Sequence, residues 1–106
     1  MKQGDLVMIE FPFADMTVRK LRPAIILSNA AYNRHSNVLL AGVYGKQQPF
    51  SIQITNADMH AQQLQKPSYI SFQNIVSTDK KQILYKADAL KKVKLHAVLK
   101  RFAKCL

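Results

Sequence analysis

KLRPAIILSN, Lys20 to Asn29, carries the run on which the fold turns. Ala24-Ile25-Ile26-Leu27 is apolar at every position, rich in β-branched side chains and too short for an ordinary helix, which predicts a buried strand. Pro23 has no backbone N–H to give to a sheet, so it is expected to open that strand. It also disfavours helical backbone at the residue before it, which sets Arg22 in an extended conformation where a loop enters the sheet. The segment leading in, ADMTVRKLR (Ala14 to Arg22), is polar and basic and reads as that loop.

Further strands follow on both sides. DLVMIEFPF (Asp5 to Phe13) alternates imperfectly and reads as a strand ending at Pro12. AAYNRHSN (Ala30 to Asn37) is a polar connector, and VLLAGVY (Val38 to Tyr44) is a second buried strand with Gly45 as its turn residue. FSIQITN (Phe50 to Asn56) alternates at period two, with Phe50, Ile52 and Ile54 expected on one face. ADMHAQQLQ (Ala57 to Gln65) reads as a short helix capped by Asn56, with Asp58 in its first turn. PSYISFQNIVS (Pro67 to Ser77) alternates again, with Tyr69 or Ile70 leading, and QILYKA (Gln82 to Ala87) is a short last strand.

DALKKVKLHAVLKRFAKCL (Asp88 to Leu106) changes period. Leu90, Val93, Ala97 and Val98 fall on one stripe with Leu95, Leu99, Phe102 and Leu106 alongside, which predicts a helix, and Asp88 suits its cap. Its lysines and arginines fill the remaining surface, either as a solvated face or as one that tracks phosphates. Five or six short, mostly antiparallel strands and one late helix make a mainly β (α+β) chain, a small curled sheet or barrel forming one domain over residues 1–106.

The chain has 106 residues, 48% of them hydrophobic, and a formal charge of +10. That charge draws polyanions or serves solubility; it says nothing of fold. A single cysteine, Cys105, excludes an internal disulfide framework and fits a reducing cytoplasm, with packing the simpler role for it than reactivity. No targeting segment is visible at the N-terminus, and no apolar run approaches the roughly 20 residues of a membrane span.

His35, His60 and His96 are scattered, and with one cysteine they make no metal constellation; no metal or cofactor is expected. Phosphate-cradling glycine loops, nucleophile elbows and paired carboxylates are also missing. What remains is the basic loop ending in Arg22. A guanidinium is planar and permanently charged, so Arg22 can hold a phosphate with two hydrogen bonds and stabilise added negative charge. It can equally close the barrel end by bonding backbone carbonyls, and the residues alone leave both roles open.

Three segments, GDLVMIEFPFAD, RPAIILSN with Tyr32-Asn33 after it, and KPSYI (Lys66 to Ile70), resemble the MazF/PemK (Kid) toxins of bacterial toxin–antitoxin systems in order and spacing. The resemblance spans nearly the whole chain. It implies an SH3-like barrel with a C-terminal helix, assembled as a homodimer. It implies a metal-independent endoribonuclease that cleaves single-stranded RNA, usually mRNA, leaving a 2′,3′-cyclic phosphate. It implies an antitoxin partner with an acidic flexible tail. The arginine of the family's RP pair is catalytic and matches Arg22, and the mobile substrate loop matches Ala14 to Leu21, which makes Arg19 and Lys20 candidate RNA contacts.

The chain departs from the family pattern in three places. The usual Thr or Ser after the second buried strand is replaced by Tyr44-Gly45-Lys46, and a family arginine and aspartate after KPSYI are replaced by Ser71 and Gln73. Tyr44 thus becomes the candidate partner of Arg22 in catalysis, or an aromatic barrel residue, though its ordinary pKa near ~10 makes it a poor base. Lys46, Ser71 and Gln73 become candidate RNA contacts. The alternatives are a non-catalytic RNA- or antitoxin-binding module and, because a related toxin branch acts on gyrase, a gyrase-directed toxin.

Overall fold

The computed structural model describes residues 1–12 and 19–106, with side chains for 1–10 and 20–106. Among the described residues six antiparallel strands form one sheet: β1 (Asp5–Pro12), β2 (Arg19–Ile26), β3 (Asn37–Tyr44), β4 (Ser51–Ile54), β5 (Ser68–Asp79) and β6 (Ile83–Ala89), in the order β4-β5-β3-β2-β1-β6. A short helix α1 (Ala30–Asn33) joins β2 to β3, and the C-terminal helix α2 (Lys92–Ala103) follows β6.

The unbroken apolar run of β2 reflects burial on both faces. Ile25 and Leu27 enter a core with Leu6, Val43, Ile54, Met59, Ile70 and Leu90, which α2 covers through Val98, Leu95, Leu99 and Phe102. Ala24 and Ile26 enter a second core with Val7, Ile9, Val38 and Leu40. Alternate residues point to opposite faces, so a strand with apolar neighbours on both sides has no position for a polar side chain.

Pro23 does not open β2. It pairs with Met8 inside the strand, and β2 begins four residues earlier, at Arg19. Gly4 N donates to Ile26 O, whereas Leu27 N donates to Leu39 O, so even residues of β2 bond toward β1 and odd ones toward β3. The ladder with β3 stops at Ala24, so the donor Pro23 lacks falls where no third strand pairs. Arg22 is therefore a strand residue opposite Ile9, not the end of a loop.

The sheet curls until its ends meet. Met59 bridges Leu90, His60 N donates to Ala89 O at 2.9 Å, and Lys91 N donates to Asp58 O at 2.8 Å. This seam takes the backbone that the sequence offered to a helix at 57–65. Only one 3-10 turn forms there, Asn56–Asp58, capped by Thr55, and Gln62 has φ +55°. The Asn56 side chain bonds Leu64 O and Leu64 N instead of capping.

Asp88 likewise does not cap α2. It is a buried residue of β6, and the helix begins after Lys91 without a side-chain cap. Val93 is 86% exposed, because α2 turns Leu95, Val98, Leu99 and Phe102 inward at helical spacing and leaves position 93 opposite. Phe50 is 66% exposed at φ +50°, just before β4, so it does not join Ile54 in the core. In β5, Ile70 is the inward residue and Tyr69 is half-buried.

The RPAIILSN…YN pattern also has a structural reason. Asn29 caps α1 by accepting from Tyr32 N at 3.0 Å. Ser28 donates to the Asn33 side chain, Asn33 Nδ2 donates to Ser28 O at 3.0 Å, and Leu39 N donates to Ser28 Oγ at 2.9 Å. This closed network holds the crossing from β2 to β3 in the interior, where an unpaired polar group would be costly.

Candidate functional site

The ladder between β2 and β3 runs from Ile26 opposite Leu40 to Ala24 opposite Gly42. The ladder stops there; carried on by two residues, its register would point Arg22 toward Tyr44, the last residue of β3. β5 reaches the same place by another route. Ala41 faces Ile75 and Val43 faces Ile70, so the four residues Ser71, Phe72, Gln73 and Asn74 bulge against the single Gly42. A bulge of this kind bends its strand and re-aims side chains.

Gly42 is what lets the ends pack. A Cβ there would lie 3.0 Å from Tyr44 Cε2 and 3.1 Å from the Tyr44 hydroxyl oxygen, so the tyrosine side chain occupies the space the glycine leaves. The sequence carried a signal for this, a lone glycine inside the strand pattern VLLAGVY, which marks a bulge or a close approach.

Arg22, Tyr44 and Gln73 thus lie on the three neighbouring strands β2, β3 and β5, near the end of the β2–β3 ladder. Arg22 and Tyr44 are half-buried and Gln73 is exposed. Ser71 is fully buried, and its Oγ accepts from Gln73 N at 3.3 Å and Asn74 Nδ2 at 3.2 Å, so it supports the bulge from within. Lys20 lies exposed along β2 and Lys46 lies exposed in the turn after β3. Arg19 opens β2, but its side chain and residues 13–18, the greater part of the expected substrate loop, lie outside the described residues. Among the described residues no group of three or more His, Cys, Asp or Glu side chains comes together.

Chemically, the region offers a permanent cation, a phenolic hydroxyl and an exposed amide, set on three neighbouring strands. Such a set can bind a phosphodiester and stabilise charge on it. The surrounding field is positive, with 16 Lys and Arg against 6 Asp and Glu. Some of those carboxylates are also engaged: Asp5 with Lys86 at 3.3 Å and Asp58 with Lys94 at 3.6 Å.

Asp88 is a further carboxylate that the sequence pattern misassigned. Burial alone would push its pKa up. Hydrogen bonds donated by the backbone N–H groups of Ala61, Gln63 and Ala89, with the charge of nearby His60, outweigh that and hold it below the ordinary carboxylate value. It fastens the segment after the seam to β6.

No curated protein matches the chain in sequence. In fold it is similar to an endoribonuclease from a mycobacterial species solved with its cognate antitoxin, at TM-score 0.78 and 17% identity, over 98% of this chain and 92% of that one. It is similar to the Mycobacterium tuberculosis toxin MazF-mt6 at TM-score 0.73 and 16% identity, over 94% and 93%. It is similar also to the MazE–MazF structure from Deinococcus radiodurans at TM-score 0.71 and 20% identity, over 99% and 93%. Residues 2–106 match the family described as PemK-like, MazF-like toxins of type II toxin–antitoxin systems, and the chain belongs to that family.

Proposed function

We propose that this toxin is an endoribonuclease that cleaves single-stranded RNA without a metal ion. The RNA 2′-hydroxyl attacks the adjacent phosphorus and loses its proton. The bond to the 5′-oxygen breaks, and that oxygen leaves with a proton. The products are a 2′,3′-cyclic phosphate and a 5′-hydroxyl end. This reading is supported by the position of Arg22 on β2, two residues beyond the last β2–β3 pair, and of Tyr44 at the end of β3, two residues beyond the Gly42 that the β5 bulge opposes. Arg22 balances charge on the pentacoordinate phosphorus, and Tyr44 donates a hydrogen bond to a phosphate or leaving oxygen. Lys20, Lys46 and Gln73 contact the strand on either side, and Arg19 extends the basic approach.

The toxin works in the cytoplasm as a homodimer, and its antitoxin inserts an acidic, flexible segment into the RNA-binding surface. The fold similarity to an endoribonuclease solved with its cognate antitoxin supports that partner. A second reading, a non-catalytic RNA- or antitoxin-binding module, is favoured by one observation: Ser71, which stands where the family has an arginine, is sealed from solvent.

Incubation of the protein with a mixed-sequence RNA in EDTA, with the ends of the products identified, separates the two. Cyclic phosphate ends are expected. A folded protein that binds RNA and leaves it intact would overturn the catalytic reading in favour of the binding module.

A further inference from the structure

One cleft, of about 440 Å³, lies between β1 and the end of β5 and is edged by Glu10 and Asp79, which oppose a polyanion. Another, of about 630 Å³, is built differently and has no carboxylate in its lining. Its floor is a row across three strands: Pro23 of β2 pairs with Met8 of β1, and Met8 pairs with Tyr85 of β6. Tyr85 is 51% exposed. The facing wall is the segment Gln63 to Lys66, and Tyr44 and Gly45 form part of the rim.

The wall is held rigidly. Asp88 accepts from Ala61 N at 2.8 Å and Gln63 N at 2.9 Å, and Asn56 bonds both Leu64 N and Leu64 O. Lys66 lies across Gly45, where a Cβ would come 2.5 Å from Lys66 Cε and 2.8 Å from Nζ, so the glycine opens the rim to the ammonium group. Lys86 stands at the edge, its ammonium 3.3 Å from Asp5.

We infer that this cleft accepts one nucleotide of the RNA strand flanking the cleaved step. The parts match its chemistry: a tyrosine ring and a thioether for a flat base, the amides of Gln63 and Gln65 for its edge, and Lys66 for its phosphate. Tyr44 links the two places, since it borders the cleft and ends β3 two residues beyond the Ala24–Gly42 pair, at the Arg22 end of β2. Pro23 faces the cleft while Arg22, one residue earlier, faces the other side of β2. The inference rests on the RNA reading above.

The test uses a mixed-sequence 2′-O-methyl RNA decamer, which binds but cannot supply the attacking hydroxyl, followed by fluorescence anisotropy. Tyr85→Ala should weaken binding by on the order of tenfold, the effect of losing one base–aromatic stack, while Tyr85→Phe retains it. Lys66→Gln should flatten the dependence of log K on log salt by about 0.7, one phosphate contact to a single strand. Decamers with a single abasic position should include one whose loss of affinity disappears in Tyr85→Ala. Equal binding by a folded Tyr85→Ala, or losses that add at every abasic position, would overturn the subsite and leave RNA cleavage standing. Weakened antitoxin binding with RNA binding intact would assign the cleft to the protein partner and overturn it too. A wild type with no affinity for RNA would remove both readings together.

Discussion

The Tyr44 side chain fills the space left by Gly42, and a methyl group at position 42 would stand 3.0 Å from its ring. The ring is thereby held over Gly42, the residue the β5 bulge opposes, and its role can be separated from its packing. Tyr44→Phe keeps the ring and removes the hydroxyl; RNA cleavage should fall about 10²-fold, as for one lost donor. Gly42→Ala keeps the hydroxyl and displaces the ring, and should give a comparable loss with an unchanged circular dichroism spectrum. Wild-type rates in Tyr44→Phe would make the tyrosine a barrel residue.

Arg22→Ala should lower the cleavage rate by about 10²–10³, the range for a donor aimed at developing charge. Affinity for uncleavable RNA should change little, because one phosphate contact among several contributes modestly. Arg22→Lys should restore only part of the rate, since an ammonium cannot reproduce the two-pronged fork. Single-turnover cleavage beside equilibrium binding checks this, and equal cutting by Arg22→Ala would remove the arginine from the chemistry.

Asp88 should make stability depend on pH in one direction. Its folded-state pKa lies below the ordinary carboxylate value. The stabilisation is therefore fully present above about pH 4, near the unfolded value, and is lost as pH falls through the folded value. Asp88→Asn should destabilise by about 1–3 kcal/mol at pH 7 through its unmatched backbone donors. The difference from wild type should shrink in urea melts at pH 3. A gap of equal size at both pH values would mean that the charge of Asp88 is not what holds the segment.

Met59 is fully buried at the seam, opposite Leu90. Met59→Ala should cost about 2–5 kcal/mol, the range for a large-to-small change in a core. Hydrogen exchange should report faster opening at His60 and Lys91 than at Ile25. A uniform change at all three would show that the seam opens only with the whole domain.

The strands, the buried run of β2 and the closing helix were legible in the sequence because period-two and period-3.6 patterns come from local geometry. The arrangement of Arg22 was half legible. Pro23 correctly marked it as extended, but whether a proline may stand inside a strand depends on where the neighbouring ladder stops, which is a long-range fact. Asp88 and Asn56 were misassigned for a related reason. Each has the composition of a helix cap, and each instead bonds backbone of residues 61–64: for Asp88 a contact 25 or more residues away, and for Asn56 one eight residues on that depends on the chain turning into the seam rather than a helix. Ser71 and Gln73 were named together, yet the bulge seals one and exposes the other.

The seam between residues 58–60 and 89–91 also has a bearing on how the toxin is made. Arg22 and Tyr44 leave the ribosome before the strand partners that curl the sheet around them and before the helix that covers its core. Contacts this distant in sequence must await residues made roughly thirty positions later. A nascent or truncated chain ending before Leu90 has the chemical groups of the site without a closed scaffold to aim them. Synthesis therefore completes the groups of the site well before it completes the scaffold that aims them.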